Sequence, residues 1–233
     1  MKSPFTILFK TLTILFCCVL ILSACKEKDG LTDESSLVVE YDSITDVRDG
    51  HVYTTVKIGN QTWLAENLAY LPLVNIPFDT SKTSARYYVY DFKLRDTTAA
   101  KATDNYKKYG VLYNWHAAKT ACPAGWHLPS EEEWNTLVTK LGGSYFAGNR
   151  LKSATEWASS TTENTNVSGF SALPGGYTTE GYFYYIGTYS AWWCSTGVSV
   201  TEAKFTAVYN NSASVVTKSE HVGNGYAVRC IKD

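Results

Sequence analysis

The chain has 233 residues and a formal net charge of −1 at pH 7, with 21 basic and 22 acidic side chains. It contains no basic stripe, which argues against nucleic acid or another acidic polymer as a partner. Its length suits one domain with a substantial core, and 17 tyrosines and 7 tryptophans are many for that length.

Residues 1–24 are predicted to be an export signal and not part of the fold. A basic start precedes a short apolar run over 11–22, and no acidic residue comes before Cys25. This pattern is typical of a secretory signal, and the run is short for a secure membrane span. Leu-Ser-Ala-Cys at 22–25 resembles a bacterial lipobox, which predicts lipidation of Cys25. An ordinary signal cut nearby, or an uncleaved anchor, is the alternative.

Residues 25–43 are predicted to be a lipidated tether, because large apolar residues are scarce there before 37. Several acyl chains on one cysteine hold a protein at a membrane far better than one chain does. The expected location is therefore the bacterial cell envelope, with the lipid in the outer membrane. Exposure at the cell surface is one of the two possible orientations.

The mature chain is expected to keep three of the six cysteines. Two leave with the signal and Cys25 carries lipid, so Cys122, Cys194 and Cys230 remain. In an oxidising compartment, one disulfide and one free thiol is the simplest arrangement.

The first regular elements are predicted to be strands. Side chains alternate over 52–58, and Gly59-Asn60 makes a two-residue hairpin turn into a second strand over 61–64. The stretch 72–108 has little clear period and is predicted to be a long excursion with one strand at 87–90.

Two helices are predicted near the middle of the chain. The first carries Trp115 and Cys122 on one face and stops at Pro123. The second has apolar residues at helical spacing over 134–141 and ends at Gly142-Gly143.

The sequence "CPAGWHLPSEEEW" at 122–134 is interpreted as a helix start and not as a catalytic cluster. Ser130 and Glu133 have the spacing of a capping box, and three glutamates occupy the first turn, where the helix dipole favours negative charge. His127 is expected to pack or to hydrogen-bond within its turn.

The C-terminal third is predicted to be strands and turns. The fold class is therefore α+β, with two helices packed on mostly antiparallel, hairpin-rich strands. The predicted segments are 169–177, 181–195 with a break at Gly187, a hairpin over 202–218 around Asn210-Asn211, and a last strand over 226–231.

Five stretches resemble the Fibrobacter succinogenes major paralogous domain, which is common in lipoproteins of the Bacteroidetes and their relatives. The resemblance covers 44–233. The stretches are "DVRDGHVYTTVKIGNQTWLAENL" (46–68), "YGVLYNWHAAKTACPAGWHLPSEEEW" (109–134), "GFSALPGGY" (169–177), "WWCST" (192–196) and "GYAVRC" (225–230).

Within these stretches, "HLPSEEEW" is similar to the "RLPTEAEWE" stretch of formylglycine-generating enzymes. The order of helix, cysteine, Leu-Pro and Ser-Glu is also similar to C-type lectin domains. The resemblance thus implies a C-type-lectin-like fold. It also implies a Cys122–Cys230 disulfide, whereas the residues themselves leave Cys194 open as a partner of either.

No catalytic residue, metal site or cofactor is predicted. His116 and His127 straddle a proline turn and form no metal-ligand motif. The calcium-dependent sugar motifs of C-type lectins are absent, so a lectin-like fold does not imply that activity. The oxidase chemistry of formylglycine-generating enzymes needs two cysteines, and Cys194 alone does not provide them.

Aromatic residues over 182–193 are the candidate contact surface. At alternate positions of a strand some of them are expected to face away from the core, where they suit sugar rings or a protein partner; packing in the core is the alternative. The leading hypothesis is non-catalytic binding of a glycan or a surface protein, with an enzyme or a passive assembly subunit as alternatives. The candidates are Trp192, Trp193, Tyr182, Tyr184 and Tyr185.

Overall fold

A computed structural model describes residues 39–159 and 162–233. The strands are β1 (Glu40–Thr45), β2 (Val52–Ile58), β3 (Gln61–Leu64), β4 (Tyr87–Tyr88), β5 (Leu112–Tyr113), β6 (Trp126–His127), β7 (Tyr177–Thr179), β8 (Tyr182–Tyr184), β9 (Tyr189–Gly197), β10 (Glu202–Tyr209), β11 (Val215–His221) and β12 (Ile231–Lys232). The helices are α1 (Thr97–Ala102), α2 (Asp104–Tyr109), α3 (Trp115–Ala118), α4 (Glu131–Lys140) and α5 (Ala147–Leu151).

The larger sheet has five strands in the order β1-β2-β3-β12-β6, and each neighbouring pair is antiparallel. The predicted hairpin at Gly59-Asn60 is confirmed, since Ile58 pairs with Gln61 and Gly59 has a φ of 62°. The strand β1 begins at Glu40, inside the segment predicted to be a tether. The C-terminal strand β12 lies between β3 and β6, so the two ends of the domain meet in one sheet.

A second sheet has the order β11-β10-β9 and is also antiparallel. The hairpin predicted around Asn210-Asn211 is confirmed, with Val208 opposite Val215. Two small sheets, β4-β5 and β7-β8, complete the strands. The predicted α+β class with mostly antiparallel strands is therefore confirmed.

The helix α4 starts at the predicted capping box. The Ser130 hydroxyl accepts from the Glu133 backbone N–H, and the Glu133 carboxylate accepts from the Ser130 backbone N–H. Its apolar side chains Trp134, Leu137 and Val138 are buried. The chain leaves the helix at Leu141, just before the glycine pair.

The other helices differ from the prediction. The helix predicted before Cys122 is regular only over α3, and the chain then turns. Three short helices, α1, α2 and α5, were not predicted, because five or six residues are too few to display a helical period. The last predicted strand is regular only at β12, while Tyr226 and Ala227 form isolated bridges to Tyr113 and Trp192.

Two apolar clusters lie on opposite sides of the sheets. Successive residues of one strand enter different clusters: Leu64 and Trp193 pack in the first, whereas Trp63 and Trp192 pack in the second. Because successive side chains of a strand point to opposite faces, both faces of β3 and β9 are covered by core.

Candidate functional site

Trp192 and Trp193 are core residues and have no solvent exposure. The Trp192 indole N–H donates to Asn67 Oδ1 at 2.8 Å, and the Trp193 indole N–H donates to the Tyr113 carbonyl at 2.7 Å. The prediction that these two residues belong to a contact surface is therefore wrong. The alternation argument assumed one open face, but β9 is covered on both faces.

The three predicted tyrosines of this stretch lie at the surface. Tyr182 meets Phe78 edge-on at 5.4 Å between ring centroids, and Tyr184 stacks obliquely on Tyr177 at 5.6 Å. Tyr185 is 61 % exposed, and it alone among the three lines an aromatic depression of the described surface. A contact role for Tyr182 and Tyr184 stays a prediction.

That depression, here called the tyrosine cleft, has a volume of about 390 Å³. Its rings contact one another, with centroids 5.4 Å apart for Tyr177 and Tyr226 and 4.8 Å apart for Tyr189 and Tyr209. Amide and charged side chains stand among the rings. The lining consists of Tyr177, Tyr185, Tyr189, Tyr209, Tyr226 and Phe205, with Thr188, Asn210, Asn211, Lys218 and Glu220.

The sequence prediction missed most of these rings. They come from β7, β9, the end of β10 and the segment after β11, and no local pattern links those stretches. Burial raises the pKa of the Tyr189 and Tyr226 phenols above the usual value, so both stay neutral at physiological pH. The floor of the cleft is therefore aromatic and uncharged.

Tyr185 adopts a left-handed backbone conformation, with a φ of 61°. This region is costly for a bulky residue and is often found at binding sites. The Tyr185 carbonyl accepts hydrogen bonds from the backbone N–H groups of Thr188 and Tyr189 and from the Thr188 hydroxyl. These bonds fix the turn that places the ring at the mouth of the cleft.

A buried lysine anchors the hairpin turn beside the cleft. The Lys152 ammonium has no solvent exposure and donates to the carbonyls of Tyr209 and Ser212 at 3.0 and 2.8 Å. Burial lowers the pKa of Lys152 to about 8. The Asn210 side chain donates to the carbonyls of Ala158 and Ser159, so the turn that bears Asn210 and Asn211 is held at both sides.

A second depression, here called the polar cleft, has a volume of about 510 Å³. Its side chains are connected: Asn224 donates to Glu220 at 3.0 Å and accepts from the Thr179 hydroxyl at 2.7 Å. His221 Nδ1 accepts from the Gly223 backbone N–H, which leaves Nε2 as the donor in the neutral ring. The lining consists of Thr80, Ser81, Lys82, Thr179, Glu180, Glu220, His221, Gly223 and Asn224.

The cysteines divide into a disulfide and a buried thiol. Cys122 is bonded to Cys230, the pairing that the resemblance implies. Cys194 has no solvent exposure, and burial raises the pKa of its thiol to about 12. A protonated and inaccessible thiol is a poor nucleophile, so Cys194 is unsuited to redox chemistry.

His127 lies between two carboxylates. Its Nδ1 is 2.7 Å from Asp233 Oδ1, and its Nε2 is 2.9 Å from Glu133 Oε1. Burial by itself would lower the pKa of His127, but hydrogen bonds with Asp233 and Glu133, and their charges, raise it above the usual value. Within 39–159 and 162–233, no group of three His, Cys, Asp or Glu side chains is placed to hold a metal ion.

This arrangement predicts a pH-dependent contribution of His127 to stability. A raised pKa in the folded state stabilises the protein below the unfolded pKa, and that contribution is lost as the pH rises through the folded pKa. The free energy of unfolding of His127→Gln should therefore fall below that of the wild type most clearly near pH 5.5. The difference should stay under about 1 kcal/mol, because the imidazole is partly exposed.

Urea unfolding at about pH 5.5, 7 and 8.5 measures that difference. We expect it to shrink toward the highest pH. A difference that is the same at all three values would contradict the ion-pair interpretation.

The stretches that carry the family resemblance converge in the core. The Arg229 guanidinium has no solvent exposure and donates to the carbonyls of Leu64 and Phe170 and to Asn67 Oδ1. Its carbon Cζ lies 4.2 Å from the Phe170 ring centroid. Asn67 also accepts from Trp192. Four of the stretches that carry the family resemblance thus meet at one buried polar centre. These stretches therefore have a structural role in the fold.

Comparison with known proteins gives a family but no activity. The model of the Fibrobacter succinogenes major domain matches residues 56–232. No curated protein and no solved structure matches the chain. Among the helices of the described residues, none has the length and apolar character needed to cross a membrane.

Proposed function

The chain belongs to the Fibrobacter succinogenes major domain family, and on that premise we propose that it is a non-catalytic glycan-binding module of a bacterial envelope lipoprotein. In this proposal residues 1–24 are the export signal and Cys25 carries the lipid. The first 38 residues, Cys25 included, lie outside the described part of the chain. The lipid would hold the domain at the outer membrane.

We propose that the domain has a C-type-lectin-like fold. Two observations support it. The disulfide joins Cys122, which follows α3, to Cys230 beside the C-terminal strand, as the first core cysteine does in C-type lectin domains. The C-terminal strand also lies within the same sheet as β1, β2 and β3.

The tyrosine cleft is the single observation that supports glycan binding. A sugar ring has apolar C–H faces and a rim of hydroxyl groups, so it matches a surface that offers aromatic faces and short polar side chains together. The cleft offers both, with Tyr185 at its mouth and Asn211, Lys218 and Glu220 at its side. Its concave shape suits a small ring better than the flat face of a folded protein.

We expect Tyr185→Ala to weaken glycan binding about tenfold, which corresponds to about 1.4 kcal/mol, because a tyrosine ring that the ligand covers is a typical hot spot. The full chain, expressed with its own leader and purified in mild detergent, would be screened against immobilised polysaccharides and cell-wall fragments. Tyr145→Ala is the matched control, since Tyr145 is 78 % exposed and lies after α4, outside both clefts.

Tyr185→Gly separates binding from folding. Glycine relieves the left-handed strain, about 1–2 kcal/mol, and this offsets the lost ring contacts and the added chain entropy. The free energy of unfolding of Tyr185→Gly should lie within about 1 kcal/mol of that of the wild type. Its glycan binding should be weakened as much as that of Tyr185→Ala. If no polysaccharide binds saturably and envelope proteins do, the module recognises a protein and the glycan proposal fails.

A further inference from the structure

The tyrosine cleft and the polar cleft lie side by side and share Glu220. On β11, Lys218 lines the tyrosine cleft, and Glu220, two residues further, lines both. Residues i and i+2 of a strand point to the same face. The two clefts therefore open on the same side of the sheet.

Two more segments each contribute residues to both clefts. On β7, Tyr177 lines the tyrosine cleft and Thr179 lines the polar cleft. In the segment after β11, Tyr226 lines the first and Asn224 lines the second. Since three separate segments pass from one cleft to the other, the clefts form one elongated groove with an aromatic end and a polar end.

The charges of this groove balance. Lys218 stands at the aromatic end, Lys82 and Glu180 stand at the polar end, and Glu220 lies between them and lines both. A groove with equal numbers of each sign has no net attraction for a polyanion or a polycation. The polar end still offers donors and acceptors, among them the His221 ring and the Thr179 and Glu220 oxygens that Asn224 holds in place.

We propose that this groove binds a neutral, chain-like oligosaccharide, with one sugar against the tyrosines and the following sugars along the polar cleft. The inference rests on the proposed glycan binding and adds the length and charge class of the ligand. A ligand that fills both clefts gains from the second contact without a second loss of translational freedom. Affinity should therefore rise with chain length until both clefts are filled.

Calorimetric titration of the full chain in mild detergent, with neutral oligosaccharides of two to eight sugars from β-1,4-glucan, xylan, β-mannan and chitin, tests this. We expect the hexasaccharide of the preferred series to bind about tenfold or more tightly than its disaccharide. His221→Gln should weaken the hexasaccharide about fivefold and leave the disaccharide unchanged. Tyr185→Ala should weaken both, and Tyr145→Ala neither.

Lys82→Ala is the second variant at the polar end, because its exposed side chain is changed without risk to folding. If the disaccharide binds as tightly as the hexasaccharide and neither polar-end variant has an effect, the extended groove is wrong and single-sugar binding stands. If only charged polysaccharides bind, the neutral class is wrong. If no sugar binds, both the extended groove and the proposed function fail. If the oligosaccharides are shorter after incubation with the protein, the proposal of non-catalytic binding is wrong.

Discussion

Replacing both Cys122 and Cys230 by alanine is expected to lower the free energy of unfolding by about 4–5 kcal/mol. The disulfide joins residues 108 apart in the sequence. Closing a loop of this length removes much of the conformational entropy of the unfolded chain, and the chain-entropy model gives the stated magnitude. A domain of this kind is stable by about 5–15 kcal/mol in total, so the variant should be close to unfolding.

Urea unfolding of the oxidised wild type, the reduced wild type and the double variant measures this loss. Cys194→Ala is the matched control, because Cys194 is as fully buried as Cys230 but forms no disulfide. It should lose about 1 kcal/mol, mainly through the small cavity. If the double variant loses no more than this control, the disulfide does not support the fold as we describe.

The second large effect is expected for Arg229→Met, which should lower the free energy of unfolding by about 2–4 kcal/mol. Methionine fills a similar volume but has no donors, so the carbonyls of Leu64 and Phe170 lose their bonds to the guanidinium. An unsatisfied buried acceptor costs about 1–3 kcal/mol. Asn67 would lose one of the two donors that its oxygen accepts from.

Arg229→Lys should also be destabilising, because an ammonium group does not reproduce the planar fork that reaches three acceptors. Arg95→Met is the control for loss of charge, since the Arg95 side chain is 61 % exposed and its ion pair with Asp79 is worth little. Thermal and urea unfolding measure all three variants. If Arg229→Met is as stable as the wild type, the free-energy cost of burying the guanidinium charge equals the stabilisation that its hydrogen bonds provide.

The disulfide and the buried Arg229 differ in how far the sequence predicts them. The cysteine count left three possible pairings, and only the family resemblance pointed to Cys122 with Cys230. Nothing in the sequence marked Arg229 as buried, because arginine is rarely found without exposure unless it is paired. Its partners are the carbonyls of Leu64 and Phe170 and the side-chain oxygen of Asn67, which all lie far from it in the sequence.

Some missed elements had a local signal. The helix α1 begins after Asp96, whose carboxylate accepts from the Ala99 backbone N–H, and α2 begins after Thr103, whose hydroxyl accepts from Tyr106. Both are typical N-cap residues. An N-cap residue by itself does not predict a helix, and the helices that follow are too short to show a helical period.

Elements whose hydrogen bonds close within a few residues are predictable from the sequence alone. The capping box of Ser130 and Glu133, the turn at Gly59-Asn60 and the hairpin around Asn210-Asn211 all belong to this class. The division of the aromatic residues between the core and the cleft depends instead on contacts between distant parts of the chain. Trp192 is buried and Tyr185 is exposed because burial depends on what covers each face of a strand, and residues far away in the sequence provide that cover.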